Sequence, residues 1–318
     1  MSAKASSSAT SRPRGLILTV TCPDKPGIVT RVTGLIARLS YNIIESAQFG
    51  DSRSGRFFMR VLFVPAGTSA GSGGRETDAN LEEGARDKVV KAFQDELAAE
   101  LEAQFEIHEE LEKVRTLIMV SKIGHCIHDL LFRMTTKTLP IEIPLIISNH
   151  TDFEPLAKAH NIPFHYLPIK PDEGKTKEWQ EGEVIKLCKE HNIELVVLAR
   201  YMQILSENLC ATLNSLPQRT AIINIHHSML PAFAGGFPYR QAFERGVKLV
   251  GATAHFATAD LDEGPIITQA TLSVDHTQSP LQLQQEGEDV ERRVLATAVK
   301  KYAQRRVFVN GNKTVVFS

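Results

Sequence analysis

A polar pair inside an otherwise apolar run is the part of the sequence best suited to chemistry. Residues 223–231 read Ile-Asn-Ile-His-His-Ser-Met-Leu-Pro, so Asn224 and His226 are two residues apart. If the run is a β-strand, both side chains leave the same face. An amide there can donate a hydrogen bond to a developing oxyanion, and an imidazole can move protons. The spacing is therefore compatible with acyl-group chemistry on one small reacting group.

An acidic side chain that could complete such a site is Asp262, in a loop before an apolar run that starts at Ile266. A carboxylate can orient or charge an imidazole, and no serine or cysteine nucleophile is required if water or a substrate amine attacks. The spacing alone is a modest signal, because most buried polar groups are hydrogen-bonded for structural reasons. A purely structural pairing of Asn224 and His226 is the alternative that these residues leave open by themselves.

Length and composition favour a two-domain protein that acts on a small molecule. The chain has 318 residues, 42% of them hydrophobic, and 36 basic residues nearly balance 37 acidic ones for a net charge of -1. This balance predicts binding to neither nucleic acid nor a membrane surface, and no apolar run reaches the roughly 18 residues of a membrane span. Four scattered cysteines without a Cys-x-x-Cys pair are typical of free thiols in a reducing compartment: Cys22, Cys126, Cys188 and Cys210.

Residues 1–14 are predicted to form a flexible tail. They are rich in serine and alanine, contain three basic residues and lack acidic ones, a composition that also fits an organelle transit peptide. Short serine-rich ends are commonly unstructured. We therefore predict a cytoplasmic protein, with a mitochondrial location as the alternative.

The next hundred residues predict a β-α-β-β-α-β order. Four runs rich in apolar and branched residues read as strands, and two segments between them carry apolar side chains at helical spacing. The strands are predicted at 15–22, 42–49, 56–64 and 105–111, and the helices at 28–39 and 86–102. This order folds as one antiparallel sheet with both helices on one face. A Gly- and Ser-rich stretch at 66–79 reads as an inserted surface loop without a function.

Two motifs stand out in this first segment. Residues 21–29 read Thr-Cys-Pro-Asp-Lys-Pro-Gly-Ile-Val and residues 54–60 read Ser-Gly-Arg-Phe-Phe-Met-Arg. Both resemble the ACT domain of formyltetrahydrofolate deformylases. The resemblance implies a ferredoxin-like domain over 15–112 that pairs copies of the chain into a homo-oligomer and could bind a free amino acid. It places that effector near Asp24, Pro26, Gly27, Asn42 and Ile43. In the alternative the domain only assembles copies, and the Pro-Gly pair merely turns the chain into a helix.

From residue 113 onward, short apolar runs alternate with helical segments. The runs lie at 116–121, 143–148, 195–199 and 221–225, as expected of a parallel α/β sheet. Ligands of such sheets bind at the carboxyl ends of the strands, where Asn224 and His226 also lie. We predict a Rossmann-like, mostly parallel α/β domain over 113–318 with its site at this edge.

Motifs throughout this second segment resemble the hydrolase domain of the same family, whose fold is that of glycinamide ribonucleotide formyltransferase. They lie at 121–122, 125–126, 129–131, 144–150, 162–165, 198–206, 224–231, 262–267 and 304–308. The resemblance implies a formyltransferase-like hydrolase domain that converts 10-formyltetrahydrofolate to tetrahydrofolate and formate without a metal or other cofactor. By motif, the catalytic set is Asn224, His226 and Asp262. Asn224 would donate to the formyl oxygen, while Asp262 and His226 would position and deprotonate the attacking water.

The resemblance also implies a folate pocket walled by residues 199–205 and the backbone of 257–259. The substrate-binding residues predicted from it are Met202, Gln203, Leu205, His227, His255, Ala257, Thr258 and Ala259. Without the resemblance, the apolar members of this set read as core residues near a strand end.

Two features favour water over a phosphorylated amine as the nucleophile. An acceptor phosphate needs a cradle of backbone amides, usually glycine-rich, at a strand-to-helix turn. Residues 121–126 occupy that turn and contain one glycine. His227 stands where related transferases have proline, and it could help to hold water. A formyltransferase to an amine acceptor is the nearest alternative, and an inactive folate or amino-acid sensor is the alternative from another class.

Two further features bear on the predicted site. His125, Cys126 and His128 invite a zinc interpretation, but they lack a second ligand pair, and a helix start with packed polar groups also explains them. Phe237 follows Pro231 in a loop where this family is expected to carry a polar residue. It could alter loop closure or affinity without changing the reaction.

Overall fold

A computed structural model describes residues 14–67, 81–232 and 238–318. The chain divides into two compact units, Met1–Glu112 and Lys113–Ser318. Most of the predicted N-terminal tail, most of the predicted 66–79 loop, and Phe237 lie outside the described residues. None of the helices in the described part of the chain is long and apolar enough to cross a bilayer.

The first unit contains a four-stranded antiparallel sheet of order β2-β3-β1-β4. Its elements follow the predicted β-α-β-β-α-β order and are β1 (Leu16–Pro23), α1 (Ile28–Arg38), β2 (Tyr41–Asp51), β3 (Arg56–Pro65), α2 (Ala85–Phe93), a π-helical segment (Gln94–Ala98), α3 (Ala99–Leu101) and β4 (Gln104–Glu109). Alternate residues of β1 and β3 pack on apolar residues of α1 and α2 to form the core of this unit. The predicted ferredoxin-like fold is confirmed.

The second helix of this unit departs from the prediction of one regular helix over 86–102. A five-residue π-helical segment interrupts it between Phe93 and Ala99. The buried residues Val89, Phe93, Leu97 and Leu101 repeat every four positions. An α-helix repeats every 3.6 residues, so the wider π turn keeps this set of side chains on one face.

The second unit contains a seven-stranded sheet of order β11-β10-β9-β8-β5-β6-β7. Its elements are β5 (Val114–Val120), α4 (His125–Thr135), β6 (Ile141–Ser148), α5 (Glu154–Ala159), β7 (Phe164–Tyr166), a 3-10 turn (Pro171–Glu173), α6 (Lys177–Glu190), β8 (Leu195–Leu198), α7 (Glu207–Ser215), β9 (Ala221–His226), α8 (Pro238–Arg245), β10 (Leu249–Phe256), β11 (Ile266–Ser273), α9 (Pro280–Ala303), β12 (Val307–Asn310) and β13 (Lys313–Val316). Strands β5 to β9 are parallel, whereas β10 is antiparallel to both β9 and β11. The predicted mostly parallel α/β fold is confirmed.

Both faces of the seven-stranded sheet are covered. Successive residues of β5 point to opposite faces, so Ile118 and Val120 pack with α4 and α9, whereas Leu117 and Met119 pack with α6 and α7. This two-sided burial explains why the parallel strands read as continuous apolar runs. It also leaves the loops at the carboxyl ends of the strands as the accessible edge of the sheet.

Candidate active site

Asn224 and His226 lie at the carboxyl end of β9, at the transition from the parallel to the antiparallel part of the sheet. In the pairing of β9 with β10, Asn224 is opposite His255 and His226 is opposite Thr253. Residues directly opposite each other point to the same face. The Nδ2 atom of Asn224 lies 3.2 Å from Nε2 of His255. The sheet register therefore brings a second imidazole to the predicted amide.

The predicted carboxylate lies beside the same group. Asp262 is in the loop between β10 and β11, and its Oδ1 atom lies 3.2 Å from Nδ1 of His226 and 3.8 Å from Nε2 of His255. Its backbone has φ of +60°, in the left-handed region that non-glycine residues adopt uncommonly. The structure thus brings the three residues predicted to be catalytic together with His255, in a largely buried group.

Hydrogen bonding assigns the protons on His255 and Asn224. The Nδ1 atom of His255 lies 2.9 Å from the carbonyl oxygen of Phe256, so it carries the proton and donates. Burial lowers the pKa of His255, which keeps the ring neutral. The unprotonated Nε2 then accepts from the amide nitrogen of Asn224, which fixes the orientation of this amide. The second amide hydrogen of Asn224 stays available to a ligand.

The carboxylate assigns the proton on His226 in the same way. Nδ1 of His226 donates to Asp262, so Nε2 carries the lone pair. That Nε2 atom is buried and has no hydrogen-bond partner among the described residues. Burial tends to raise the pKa of Asp262, but the hydrogen bond from His226 and the other nearby imidazoles outweigh it and lower the pKa below its usual value. A charged carboxylate therefore orients the imidazole of His226 and leaves its Nε2 atom without a protein partner.

An open cavity of about 80 Å³ leads to Asn224, His255 and Asp262. Five other residues predicted to bind substrate also line it, and these are Gln203, Leu205, Ala257, Thr258 and Ala259. Tyr201 and Ile204, which also line it, belong to the stretch 199–205 that was predicted to wall the pocket. Sequence reasoning did not single out the remaining lining residues, which are Leu198, Asp260 and Leu261. Most of them belong to the same two loops as the predicted residues, so the signal that could have identified them is this proximity along the chain.

Met202 and His227 are not part of the cavity wall. Met202 is 57% exposed. Ile204 (57%) and Leu261 (56%), which belong to the two loops that line the cavity, are exposed to a similar degree. Large apolar groups left exposed beside a cavity are available to cover a bound ligand. His227 instead packs against His226, with ring centroids 5.1 Å apart, and its ring centroid lies 6.1 Å from that of Tyr239.

Polar contacts also join the carboxyl ends of three strands. Ser121, just after β5, donates through Oγ to Oδ1 of Asn149 at a distance of 2.7 Å, and its Oγ accepts from the backbone nitrogen of Met202 at 3.0 Å. Asn149 follows β6, and Met202 lies in the loop after β8. These bonds hold the cavity loop that contains Met202 onto the sheet edge, as expected for a site at this edge.

Sequence reasoning missed a buried group around Glu291, here called the Glu291 cluster and defined as Glu291, His125, Arg200 and Tyr239. Glu291 accepts from Nε2 of His125 at 2.8 Å and from the hydroxyl of Tyr239 at 2.6 Å, and Nη1 of Arg200 lies 3.6 Å away. Burial tends to raise the pKa of Glu291, but the contacts with His125 and Arg200 outweigh it and lower the pKa. The carboxylate is therefore ionised and paired.

His125, from the predicted polar helix start at residues 125–128, is part of this cluster. His125 begins α4, and ligand atoms of His125, Cys126 and Glu291 all lie within 4.8 Å of one another. The arrangement does not suit a cation, because the Arg200 guanidinium already faces the carboxylate and Tyr239 donates to its other oxygen. Burial also raises the pKa of Cys126 well above its usual value, which opposes the thiolate that metals bind.

The predicted effector residues of the first unit do not converge within one chain. Asp24 follows β1 and lies against Gly50 near the end of β2, whereas Asn42 and Ile43 lie at the start of β2. Eight residues of strand separate the two groups, roughly 26 Å at the usual rise per residue. Gly27 has φ of +92° immediately before α1, so the Pro-Gly pair does turn the chain into this helix.

The fold of the second unit is that of a known class of proteins. The family model described as formyl transferase matches residues 114–299, and the ACT domain model matches residues 16–68. A solved glycinamide ribonucleotide transformylase from Symbiobacterium toebii shares the fold of the second unit, with a TM-score of 0.60, 26% identity, and coverage of 66% of this chain and 97% of that one.

Relatives that contain both domains are more similar. The chain is 44% identical to the formyltetrahydrofolate deformylase of Corynebacterium sp. (strain P-1) over 94% of its length and 97% of the relative. It is 42% identical to the formyltetrahydrofolate deformylase of Bacillus subtilis over 95% of this chain and 93% of that relative. The crystal structure of the Burkholderia mallei deformylase matches 96% of this chain and 100% of its own, with a TM-score of 0.84 and 44% identity. The chain belongs to the formyltetrahydrofolate deformylase family.

Proposed function

We propose that this chain hydrolyses 10-formyltetrahydrofolate to tetrahydrofolate and formate, with Asn224, His226 and Asp262 as its catalytic residues. The observation that carries the proposal is the oriented Asp262–His226 pair, whose free basic nitrogen lies in one buried group with an amide donor. Relatives named for this reaction cover nearly the whole chain, which supports the same activity here.

Asn224 acts on the formyl oxygen in this proposal. His255 accepts one of its amide hydrogens and leaves the other for the substrate. As water adds to the formyl carbon, negative charge grows on the formyl oxygen and strengthens this hydrogen bond. One such donor is worth about 3 kcal/mol of transition-state stabilisation in oxyanion sites of other enzymes.

His226 moves the proton in the same mechanism. Its Nε2 atom takes a proton from water while the water oxygen forms a bond to the formyl carbon. The bond between N10 and the formyl carbon then breaks, and the imidazolium returns the proton to N10 of tetrahydrofolate. Asp262 stabilises the imidazolium and holds Nδ1 as a donor throughout. The products are formic acid, which ionises, and the free amine, so atoms and charges balance.

The cavity supplies the folate site in this proposal. Apolar side chains of Leu198, Ile204 and Leu205 offer a surface to a flat pteridine ring, and the backbone of residues 257–261 offers hydrogen bonds to its polar edge. Met202 and Leu261 are exposed before binding and would become covered by the ligand. His255 then has two roles, because it lines the cavity and orients Asn224.

The direct test is to mix purified chain with 10-formyltetrahydrofolate in the absence of any amine, with and without a metal chelator. We expect one formate for each tetrahydrofolate and the same rate in both samples, because the mechanism uses only protein side chains. Tetrahydrofolate that forms only when an amine is added, together with a formylated amine in place of formate, would favour the formyltransferase alternative. Folate binding without turnover would favour the sensor.

Gly264 offers a test of the Asp262 loop. A Cβ atom at this position would overlap the carbonyl oxygen of Phe256, so Gly264→Ala must displace the loop. A shift of about 1 Å at a catalytic group can cost roughly 100-fold in rate, and we expect a loss of that order in formate release. Gly182→Ala is the matched control, since a Cβ there meets nothing within 4 Å inside α6. Equal rates of formate release by Gly264→Ala and Gly182→Ala would contradict a catalytic role for the Asp262 loop.

For the first unit, we propose that the ACT domain assembles copies of the chain and takes a free amino acid as effector. Strand β2 is an edge strand and exposes Ile44 and Phe49, which supports pairing with a second copy. Because the two groups of predicted effector residues lie far apart in one chain, only such pairing could bring them together. Size-exclusion chromatography at several concentrations, with and without amino acids, tests both parts of this proposal.

The four cysteines support the proposal that the chain works in a reducing, cytoplasmic compartment. All are free thiols, and three of them are buried: Cys22, Cys126 and Cys188. A fluorescent fusion of the full chain would show its location directly, and import into mitochondria would contradict this part.

A further inference from the structure

His227 lies between the catalytic imidazole and the Glu291 cluster. Its ring centroid is 5.1 Å from that of His226 and 6.1 Å from that of Tyr239. Neither His226 nor His227 lines the cavity proposed for folate, whereas Asn224, His255 and Asp262 do. The two imidazoles therefore lie next to the catalytic group without forming part of the cavity wall.

The Glu291 cluster can hold His227 in one position because it joins four parts of the second unit. Glu291 is on α9, His125 begins α4, Arg200 follows β8 and Tyr239 is on α8. Gly287, one turn before Glu291 on α9, leaves room for Tyr239, since a Cβ there would overlap the tyrosine hydroxyl. The carboxylate of Glu291 is paired with all three other members, and breaking a buried charge pair of this kind is costly, which disfavours rearrangement of the cluster.

The same region contains polar atoms that call for a small polar partner. Nε of Arg200, Nδ1 of His125 and Nε2 of His226 are buried without a hydrogen-bond partner among the described residues. Nδ1 of His125 is 3.8 Å from Glu288, too far for a hydrogen bond. Buried polar atoms are almost always paired with protein or water. All three nitrogen atoms belong to the Glu291 cluster or to His226, and water suits them because it can both donate and accept.

Side chains crowd the start of α4 on the other side of the Glu291 cluster. The N-terminus of α4 is where an acceptor phosphate would bind by the general preference of helix N-termini for anions. Here a Cβ at Gly124 would lie 2.6 Å from the ring of Phe153, and the side chain of the following His125 is bonded to Glu291. Phe153 thus lies against the backbone at the start of α4, and the His125 side chain is held by Glu291.

We propose that His227, held in place by the Glu291 cluster, positions the attacking water beside His226, and that this arrangement selects water over an amine as the nucleophile. The inference rests on the proposed hydrolysis and adds the group that determines its nucleophile. His227 touches the reacting water, whereas Glu291, Tyr239, Arg200 and His125 are positioning residues that act through it.

The charge state of His227 agrees with this role. Burial and the nearby Arg200 guanidinium lower its pKa to about 3, so the ring is neutral at neutral pH. A neutral imidazole has one nitrogen that accepts and one that donates. It can orient a water molecule while His226, the ring paired with Asp262, takes the proton.

The test is the partition of the formyl group between two nucleophiles. Wild type and His227→Gln are given 10-formyltetrahydrofolate with hydroxylamine, and formate and formylhydroxamate are both measured. We expect formate release by His227→Gln to fall about 100-fold and hydroxamate formation to fall only a few-fold, because positioning by a side chain typically contributes on this scale. His276→Gln is the matched control, since His276 is an exposed loop residue, and it should keep the wild-type ratio.

Two further variants test the positioning residues and do not depend on the folding of the first. Glu291→Gln removes the charge of the cluster, and Tyr239→Phe removes one hydrogen bond to Glu291. Both should shift the product ratio towards hydroxamate by about tenfold. Glu286→Gln, at an exposed position on the same helix, should leave the ratio unchanged. Unfolding midpoints of all variants show which of them are folded.

The outcomes separate the inference from the proposed function. A wild type that forms neither product, or forms only hydroxamate, would overturn the proposed hydrolysis itself. A wild type that releases formate, together with folded variants that keep its product ratio, would overturn only the inference. An equal loss of both products in Glu291→Gln and Tyr239→Phe would also overturn it, because that pattern reflects a structural role.

Discussion

Replacing Asn224 by aspartate is expected to reduce formate release by about 10²–10³-fold while the protein stays folded. The substitution keeps the size of the side chain but removes the amide hydrogens, one donated to His255 and one available to the formyl oxygen. It also places a carboxylate where negative charge develops. His255 and Asp262 are both next to this position, so the added charge is poorly screened.

The measurement is formate release at saturating folate, with the unfolding midpoint of each variant recorded alongside. Asn214→Asp is the matched control, because Asn214 is exposed on α7 and does not line the cavity. We expect the control to retain wild-type turnover. Activity of Asn224→Asp within threefold of wild type would remove Asn224 from the mechanism.

Much of the fold could be predicted because it depends on local periodicity. The apolar runs of β5, β6, β8 and β9 are continuous since both faces of the sheet are buried, and this pattern is visible without tertiary information. The π-helical segment after Phe93 could not be predicted from an expected 3.6-residue repeat. The buried residues Val89, Phe93, Leu97 and Leu101 recur every fourth position, and this spacing is the sequence signal for a wider turn.

The residues of the candidate site also differ in whether the sequence alone could identify them. Asn224 and His226 could be identified because they share one strand, and Asp262 because its loop motif resembles a known family. The Glu291 cluster could not, because 166 residues of sequence separate Glu291 from His125 and neither residue type is unusual on a helix. Only the packing of α9 against α4 brings them together. Long-range polar contacts of this kind have no periodic signal in a single sequence.

His255 shows how a correct location can leave a role unspecified. Sequence reasoning placed it among the substrate-binding residues, and it does line the cavity. Its hydrogen bonds to Phe256 and Asn224 depend on the antiparallel pairing of β10 with β9. The prediction of a mostly parallel sheet did not specify that pairing. The role in orienting Asn224 therefore emerges only from the register of the two strands.

Replacing Asp262 by asparagine is expected to lower turnover by roughly 10³–10⁴-fold, the scale on which loss of the acid that orients a catalytic imidazole acts in hydrolases. The charge that stabilises the imidazolium of His226 disappears, and the amide can donate to Nδ1 and so leave Nε2 protonated. The backbone should tolerate the change, because asparagine is among the residues that best adopt the positive φ found here. The loss should therefore appear in kcat, with a smaller change in KM.

A charge-matched control makes the Asp262 result specific. Asp172→Asn removes one exposed carboxylate from the 3-10 turn of the same unit and should behave as wild type. The lowered pKa of Asp262 means that wild type keeps this carboxylate ionised at neutral and mildly acidic pH, so the comparison can be made anywhere in that range. If Asp262→Asn instead raised KM with kcat unchanged, the residue would bind the ground state of the folate, and the proton would have to be moved by His226 without a charged partner.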